Sequence, residues 1–262
     1  MIDPLCGVWG KVERAQEHRD ALGAVFDSWL DRSPYGVAGE LDPETGWFVM
    51  TLREFEPPPL QLGLIFGDMV SNLRAALDHL VWQLVLVNGM VPTSQTGFPI
   101  STDANQWGPM KGRNLVGVAN HWVDEIERVQ PFHQGGRAVL HPLAVLNQVN
   151  NINKHRVVSA VAVTTFEWQP TFVLNRPAEE GDWVAHELIP LPPGWKLKDG
   201  AMLGRLRADS SKGDLQITRI EKIEDVAIGV GFDDGLEHEG AFPDLIGEVS
   251  ATVSGFKSAF DA

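Results

Sequence analysis

Apolar residues at Val12, Ala15, Leu22, Val25, Phe26 and Leu30 recur at helical spacing among charged neighbours, which predicts an amphipathic helix over residues 8–30. Ser33-Pro34 stops it. Residues 35–41 and 47–55 have strand character and flank Asp42-Pro-Glu-Thr-Gly46, where proline presets one turn dihedral and glycine supplies a positive φ. A β-hairpin is expected there, ended by Pro57-Pro58-Pro59. The apolar stretch 60–87 is too long for a strand and predicts a buried helix that terminates at Asn88-Gly89. A loop with Phe98-Pro99-Ile100 follows, then helices at about 114–130 and 141–159, with Gln134-Gly-Gly136 turning between them. Four helices of this kind make a bundle.

From residue 157 the pattern changes to β-branched and aromatic runs broken by Pro and Gly: 157–168, 171–174, 183–191, 202–207, 215–220 and 226–232. These predict one antiparallel sheet of about five or six strands. Residues 243–260 return to helical spacing through Leu245, Ile246, Val249, Val253, Phe256 and Phe260, with Pro243 suited to the first turn. The fold class is therefore α+β. An N-terminal helical bundle over 1–156, with an inserted β-hairpin at 35–55, precedes an antiparallel β-sheet and a C-terminal helix over 157–262 that packs back on the bundle.

Composition narrows the function classes. No run of about 18 apolar residues is present, and Asp3 and Pro4 stand where a secretory signal needs basic residues, so a cytoplasmic protein without a membrane partner is expected. The lone Cys6 can form no internal disulfide and has no neighbouring base to make it a nucleophile. The net charge of −14 is unevenly spread: residues 1–60 carry −6 and 161–262 carry −9, whereas 61–160 carry +1 and five of the eight histidines. Acidic flanks oppose non-specific coating of nucleic acid, while a near-neutral middle still admits a short strand. The acidic loop 233–239 fits no known calcium-loop spacing and reads as a solvated turn; no metal and no cofactor is expected.

Two polar rows interrupt the apolar middle. In residues 67–82, Val70, Leu73, Leu77, Leu80 and Leu84 share one helical face, and Asp68, Asn72, His79 and Gln83 gather opposite, with Ala75 and Ala76 between them. Arg74 and Asp78 are spaced to pair. In residues 143–156, Asn147, Asn150, Asn151 and Lys154 form a row with His155 at its edge and Arg156 after it. Asparagines are poor helix formers, so something other than propensity selects them. Two such rows facing each other would make an internal cluster of carboxylate, amide, imidazole and ammonium groups. The same residues could instead satisfy one another as a packing network without chemistry.

Together, Tyr35-Gly-Val37, Gly67-Asp68, Asn72-Leu-Arg-Ala-Ala-Leu-Asp-His-Leu80, Phe98-Pro-Ile100, Gln130-Pro-Phe132 and Asn151-Ile-Asn-Lys-His-Arg156 resemble a widespread uncharacterised family of actinobacterial and phage-associated proteins. Asn153 stands where that family usually has aspartate. That resemblance implies no activity. Arg74-Ala-Ala-Leu-Asp-His79 is also similar to the Arg-x4–6-His motif of HEPN domains, helical bundles that often dimerise and in some members cleave RNA without metal. This second resemblance implies a homodimer with His79 as general acid-base, Arg74 and Lys154 or Arg156 stabilising phosphorane charge, and Asn72 and Asn151 positioning the backbone. Asp68, Asn147 and His155 would complete the substrate-binding set. On a regular helix Arg74 and His79 lie roughly 140° apart, so both reach one site only through a bend or across a dimer.

Two other readings stay open beside metal-independent RNA cleavage in defence or toxin-type biology. One is a non-catalytic protein whose acidic surface engages a basic protein partner, with Trp107, Trp122, Trp168, Trp183 and Trp195 as candidate anchors. The other is a small-molecule pocket between bundle and sheet.

Overall fold

The computed structural model describes residues 3–155, 160–164, 169–189, 198–210, 215–224, 228–232 and 243–260. The chain divides into a helical unit, Met1–Val25, Leu60–Ser159 and Phe242–Ala262, and a β unit, Phe26–Pro59 and Ala160–Ala241. This division differs from the expected break after 156: the hairpin belongs with the later strands, and the C-terminal helix belongs with the bundle.

The helical unit is built around α2 (Leu60–Val87), whose bounds match the apolar stretch. Its Val70, Leu73, Leu77, Leu80 and Leu84 are all fully buried, and burying each such side chain is worth about 1.5–3 kcal/mol. α1 (Cys6–Leu30) contributes Val8, Val12 and Ala15 to the core, and α6 (Leu245–Gly255) packs on α2 and on α5 (Pro142–Asn153) through Val249 and Val253. Asp244 caps α6 by accepting from the Gly247 amide, so Pro243 lies before the cap rather than in the first turn.

Between α2 and α5 the chain is more broken than its spacing predicts. A helix α3 (Ala104–Asn114) appears where a loop was expected, started by Asp103, whose carboxylate accepts from the Asn105 amide, and carrying Pro109 and two glycines inside. α4 (Asn120–Arg128) begins only after Gly117, which has a positive φ of 87°, and a 3-10 segment, Pro131–Leu140, leads into α5.

In the β unit, β1 (Tyr35–Leu41) and β2 (Phe48–Glu54) form the expected hairpin. It does not stand alone: β2 pairs with β6 (Met202–Asp209) and β6 with β5 (Trp183–Leu188), giving the antiparallel order β1-β2-β6-β5. Phe48, Met50 and Leu52 alternate onto one face and close a core with Leu203, Leu206 and Ile217. An isolated two-stranded hairpin is marginal in water, and this shared core is what the single-sheet expectation lacked. The remaining strands pair as separate ladders, β3 (Ala160–Thr164) with β8 (Ile228–Phe232) and β4 (Gln169–Leu174) with β7 (Ile217–Glu224).

α2 and α5 are in direct contact at Gly67. Asn153 Nδ2 donates to the Gly67 carbonyl at 3.1 Å and to Ser71 Oγ at 3.2 Å, and a Cβ on residue 67 would stand 2.2 Å from Asn153 Oδ1. Gly67→Ala should therefore change sign with its background. Alone it evicts the Asn153 amide, losing hydrogen bonds worth about 0.5–1.5 kcal/mol each and cancelling the helix-propensity gain. In Asn153→Ala it should stabilise by up to about 1 kcal/mol, because only the propensity term remains. Urea unfolding of the four-member cycle reads the coupling; equal effects of Gly67→Ala in both backgrounds would disprove the contact.

Candidate functional site

The two polar rows do not meet across an open space. Among the described residues no hydrogen bond or ion pair joins Asp68, Asn72, Arg74 or His79 to Asn147, Asn151, Lys154 or His155. Instead the α2 row divides between several neighbours. Asn72 accepts from Lys11 Nζ of α1 at 3.2 Å and donates back to the Asp68 carbonyl at 2.8 Å. Asp68 and His79 are exposed.

Arg74 and Asp78 close on the irregular segment that follows α2. Arg74 Nη2 donates to Asp78 Oδ1 at 2.7 Å and to the Phe98 carbonyl at 2.5 Å, while the Phe98 amide donates to Asp78 Oδ1 at 2.8 Å. The pair thus brackets both backbone groups of one residue. Burial pushes the Arg74 guanidinium below its ordinary value, and the Asp78 charge opposes that shift. Arg74 Nη1 is enclosed without a partner. The HEPN-type assignment needs Arg74 and His79 on one phosphate; α2 is a single helix, Leu60–Val87, and Arg74 is bound to the 97–98 backbone, so one chain does not bring them together.

The α5 row opens on a cavity of about 560 Å³ within the helical unit. Asn147, Gln148, Asn151 and His155 supply its polar side, and Ile100, Val139, Ala144 and Ile152 its apolar side, with Thr102 at the margin. No α2 residue lines it. Lys154 Nζ reaches Asn151 Oδ1 at 3.4 Å, beside the cavity. Of the predicted site residues, the structure therefore gathers Asn147, Asn151 and His155, with Lys154 adjacent; Arg156 lies outside the described residues. So do the acidic loop 233–239, Trp168 and Trp195. Among the other candidate anchors, Trp107 is buried and donates to Glu127 Oε2, whereas Trp183 is 50% exposed.

Ile100, Thr102 and Val139 were missed as site residues because they sit in irregular and 3-10 chain. The backbone on either side of Ile100 is held by Gln130, buried just past the end of α4. Its Nε2 donates to the carbonyls of Pro99 and Ile126, both at 3.0 Å, and its Oε1 accepts from the Ser101 amide at 2.9 Å. Phe98-Pro-Ile100 and Gln130-Pro-Phe132, read as separate motifs, are two halves of one contact.

No family model, curated protein or solved structure matches the chain. Among the described residues, no helix is long and apolar enough to cross a membrane, and no group of three His, Cys, Asp or Glu side chains is placed to hold a metal ion.

The bracket around Phe98 is asymmetric, with side-chain exposures of 17% for Arg74 and 37% for Asp78. Asp78→Ala strands a buried guanidinium and should destabilise by on the order of 2–4 kcal/mol. Arg74→Met leaves a carboxylate that keeps the Phe98 amide and reaches water, and should lose about 1 kcal/mol. Denaturant midpoints that reverse this order would place the uncompensated charge on Asp78.

His141 caps α5: its Nδ1 accepts from the Leu143 amide at 3.1 Å, which fixes Nδ1 as unprotonated. Burial lowers its pKa from 6.5, opposed by Glu248, whose carboxylate is 3.9 Å from Nε2. Above 6.5 the ring is neutral folded and unfolded; below it the unfolded chain binds a proton first, so stability falls as pH drops from 6.5 through the folded value. His141→Asn keeps a capping oxygen without the titration. Unfolding free energies across this window should slope less in the variant, and an identical slope would remove His141 as the cause.

Proposed function

We propose that this chain is a binding protein whose α5 groove takes a small uncharged polar molecule. The observation that carries this reading is the lining of the cavity: three amide side chains of α5 together with the apolar Ala144 and Ile152 of the same helix and Ile100 and Val139 from outside it, with His155 as the single ionisable group. Its volume of about 560 Å³ falls in the range of pockets that enclose small ligands. Each amide offers both donors and an acceptor, so the row is matched to a ligand with adjacent donor and acceptor groups, such as an amide or a nucleobase. The apolar wall supplies affinity and the amides orientation.

The geometry favours binding over cleavage. An acid-base mechanism needs a second group to stabilise developing charge; the lining itself carries His155 alone, and the neighbouring Lys154 Nζ is turned to Asn151 Oδ1. Nor does an uncharged lining attract a polyanion such as RNA or a strongly basic protein. Self-association is not needed to complete the groove, which one chain forms by itself.

Thermal-shift titrations with free nucleosides and with N-acetyl amino-acid amides separate the two ligand sources. One arm should raise Tm with dose, and the double change Asn147→Leu with Asn151→Leu should weaken that response at least tenfold while leaving the ligand-free protein folded. A flat response in both arms rejects the groove as the site. RNA cleavage in the presence of chelator that disappears in His79→Ala would replace this reading with the ribonuclease one.

A further inference from the structure

A second cavity, of about 450 Å³, lies within the β unit at the turn end of the β1-β2 hairpin and has a different chemistry. Arg207 of β6 lines it together with Asp42 and Asp209, and the lining also includes Phe48, Leu206 and Ile217, each no more than 4% exposed. Arg207 stands out from its neighbour Arg205. Both guanidiniums lie over the Trp47 ring, at 5.1 and 4.5 Å from its centre. Arg205 pairs with Glu187 at 2.6 Å, whereas among the described residues the Arg207 side chain makes no hydrogen bond or ion pair and its Nε is enclosed without a partner.

A guanidinium carries five donors in a fixed fork suited to a carboxylate, and stacking on an aromatic ring holds its plane. Here that fork is held, partly enclosed, and unmet. The two carboxylates of the same cavity are engaged elsewhere: Asp42 accepts from the Glu44 amide and the Thr45 hydroxyl, and Asp209 from the Ser210 amide. One cation and two anions leave the cavity with a net negative charge, in a chain that is itself −14. A free anion is repelled by that field; a ligand carrying both an anion and a cation is not.

We propose that this cavity binds a zwitterionic α-amino acid with an apolar side chain. The ligand carboxylate meets the Arg207 fork, its ammonium faces Asp42 and Asp209, and its side chain covers Phe48, Leu206 and Ile217. The site shares no residue with the α5 groove, so its success or failure leaves that reading untouched.

Calorimetric titration of the full chain with L-leucine, N-acetyl-L-leucine and L-leucinamide tests the two charges separately. L-leucine should bind, and each blocked analogue should bind at least tenfold more weakly. Arg207→Gln should abolish L-leucine binding, Asp209→Asn should weaken it, and Arg207→Lys, which keeps the charge but loses the fork, should weaken it at least tenfold if the glutamine variant does not fold. No heat from L-leucine at millimolar concentration overturns the proposal. N-acetyl-L-leucine binding as tightly as L-leucine overturns it as well, because a plain anion site would then suffice.

Discussion

The helical unit depends on how the backbone of residues 97–101 is satisfied, because these five residues are buried and belong to no helix or strand. Buried peptide groups must find partners, and here side chains provide them from two sides. Arg74 and Asp78 take the carbonyl and amide of Phe98; Gln130 takes the Pro99 carbonyl and the Ser101 amide. The Phe132 amide then donates to the Ser101 carbonyl at 3.2 Å. Removing any of these polar side chains exposes an unmet group in the interior, whose desolvation penalty is about 1–3 kcal/mol.

That clamp also makes the α5 cavity. Ile100 and Thr102 form part of its wall because the segment is held between α2 and Gln130. The Asn153 contact with Gly67 and Ser71 sets the far end of α5 against α2. Arg74, which the sequence offers as a catalytic candidate, holds the Phe98 carbonyl and does not line the cavity.

Where the polypeptide satisfies its own hydrogen bonds locally, the sequence is a good guide. The 60–87 helix and the hairpin at 35–55 are legible because apolar period, proline stops and turn chemistry agree. α3 was not legible, since Gly108, Pro109 and Gly112 oppose a helix; buried Trp107, the Asp103 cap and the Trp107 bond to Glu127 override them. The pairing of β2 with β6 joins residues some 150 positions apart, and no local pattern encodes it. For the site, periodicity identified the amide row on α5 but not what faces it. The opposing wall is irregular chain fixed by Gln130, and irregular chain carries no period to read.

The asparagines of α5 show how such a row can be weighed. An asparagine in a helix interior is several tenths of a kcal/mol less favourable than alanine, so each needs a compensating role. Asn153 has one in its contact with Gly67 and Ser71, whereas Asn150 is buried with its Nδ2 unmet, a cost that its burial does not offset. The Asn147 side chain makes no hydrogen bond among the described residues, and that of Asn151 only accepts a long one from Lys154 at 3.4 Å. The fold draws little from these two, yet both line the cavity. Proteins tend to break local rules at functional or strained positions. By that criterion Asn147 and Asn151 support the proposed groove, and the Arg74-Asp78 pair, bonded to the Phe98 backbone, belongs to the scaffold.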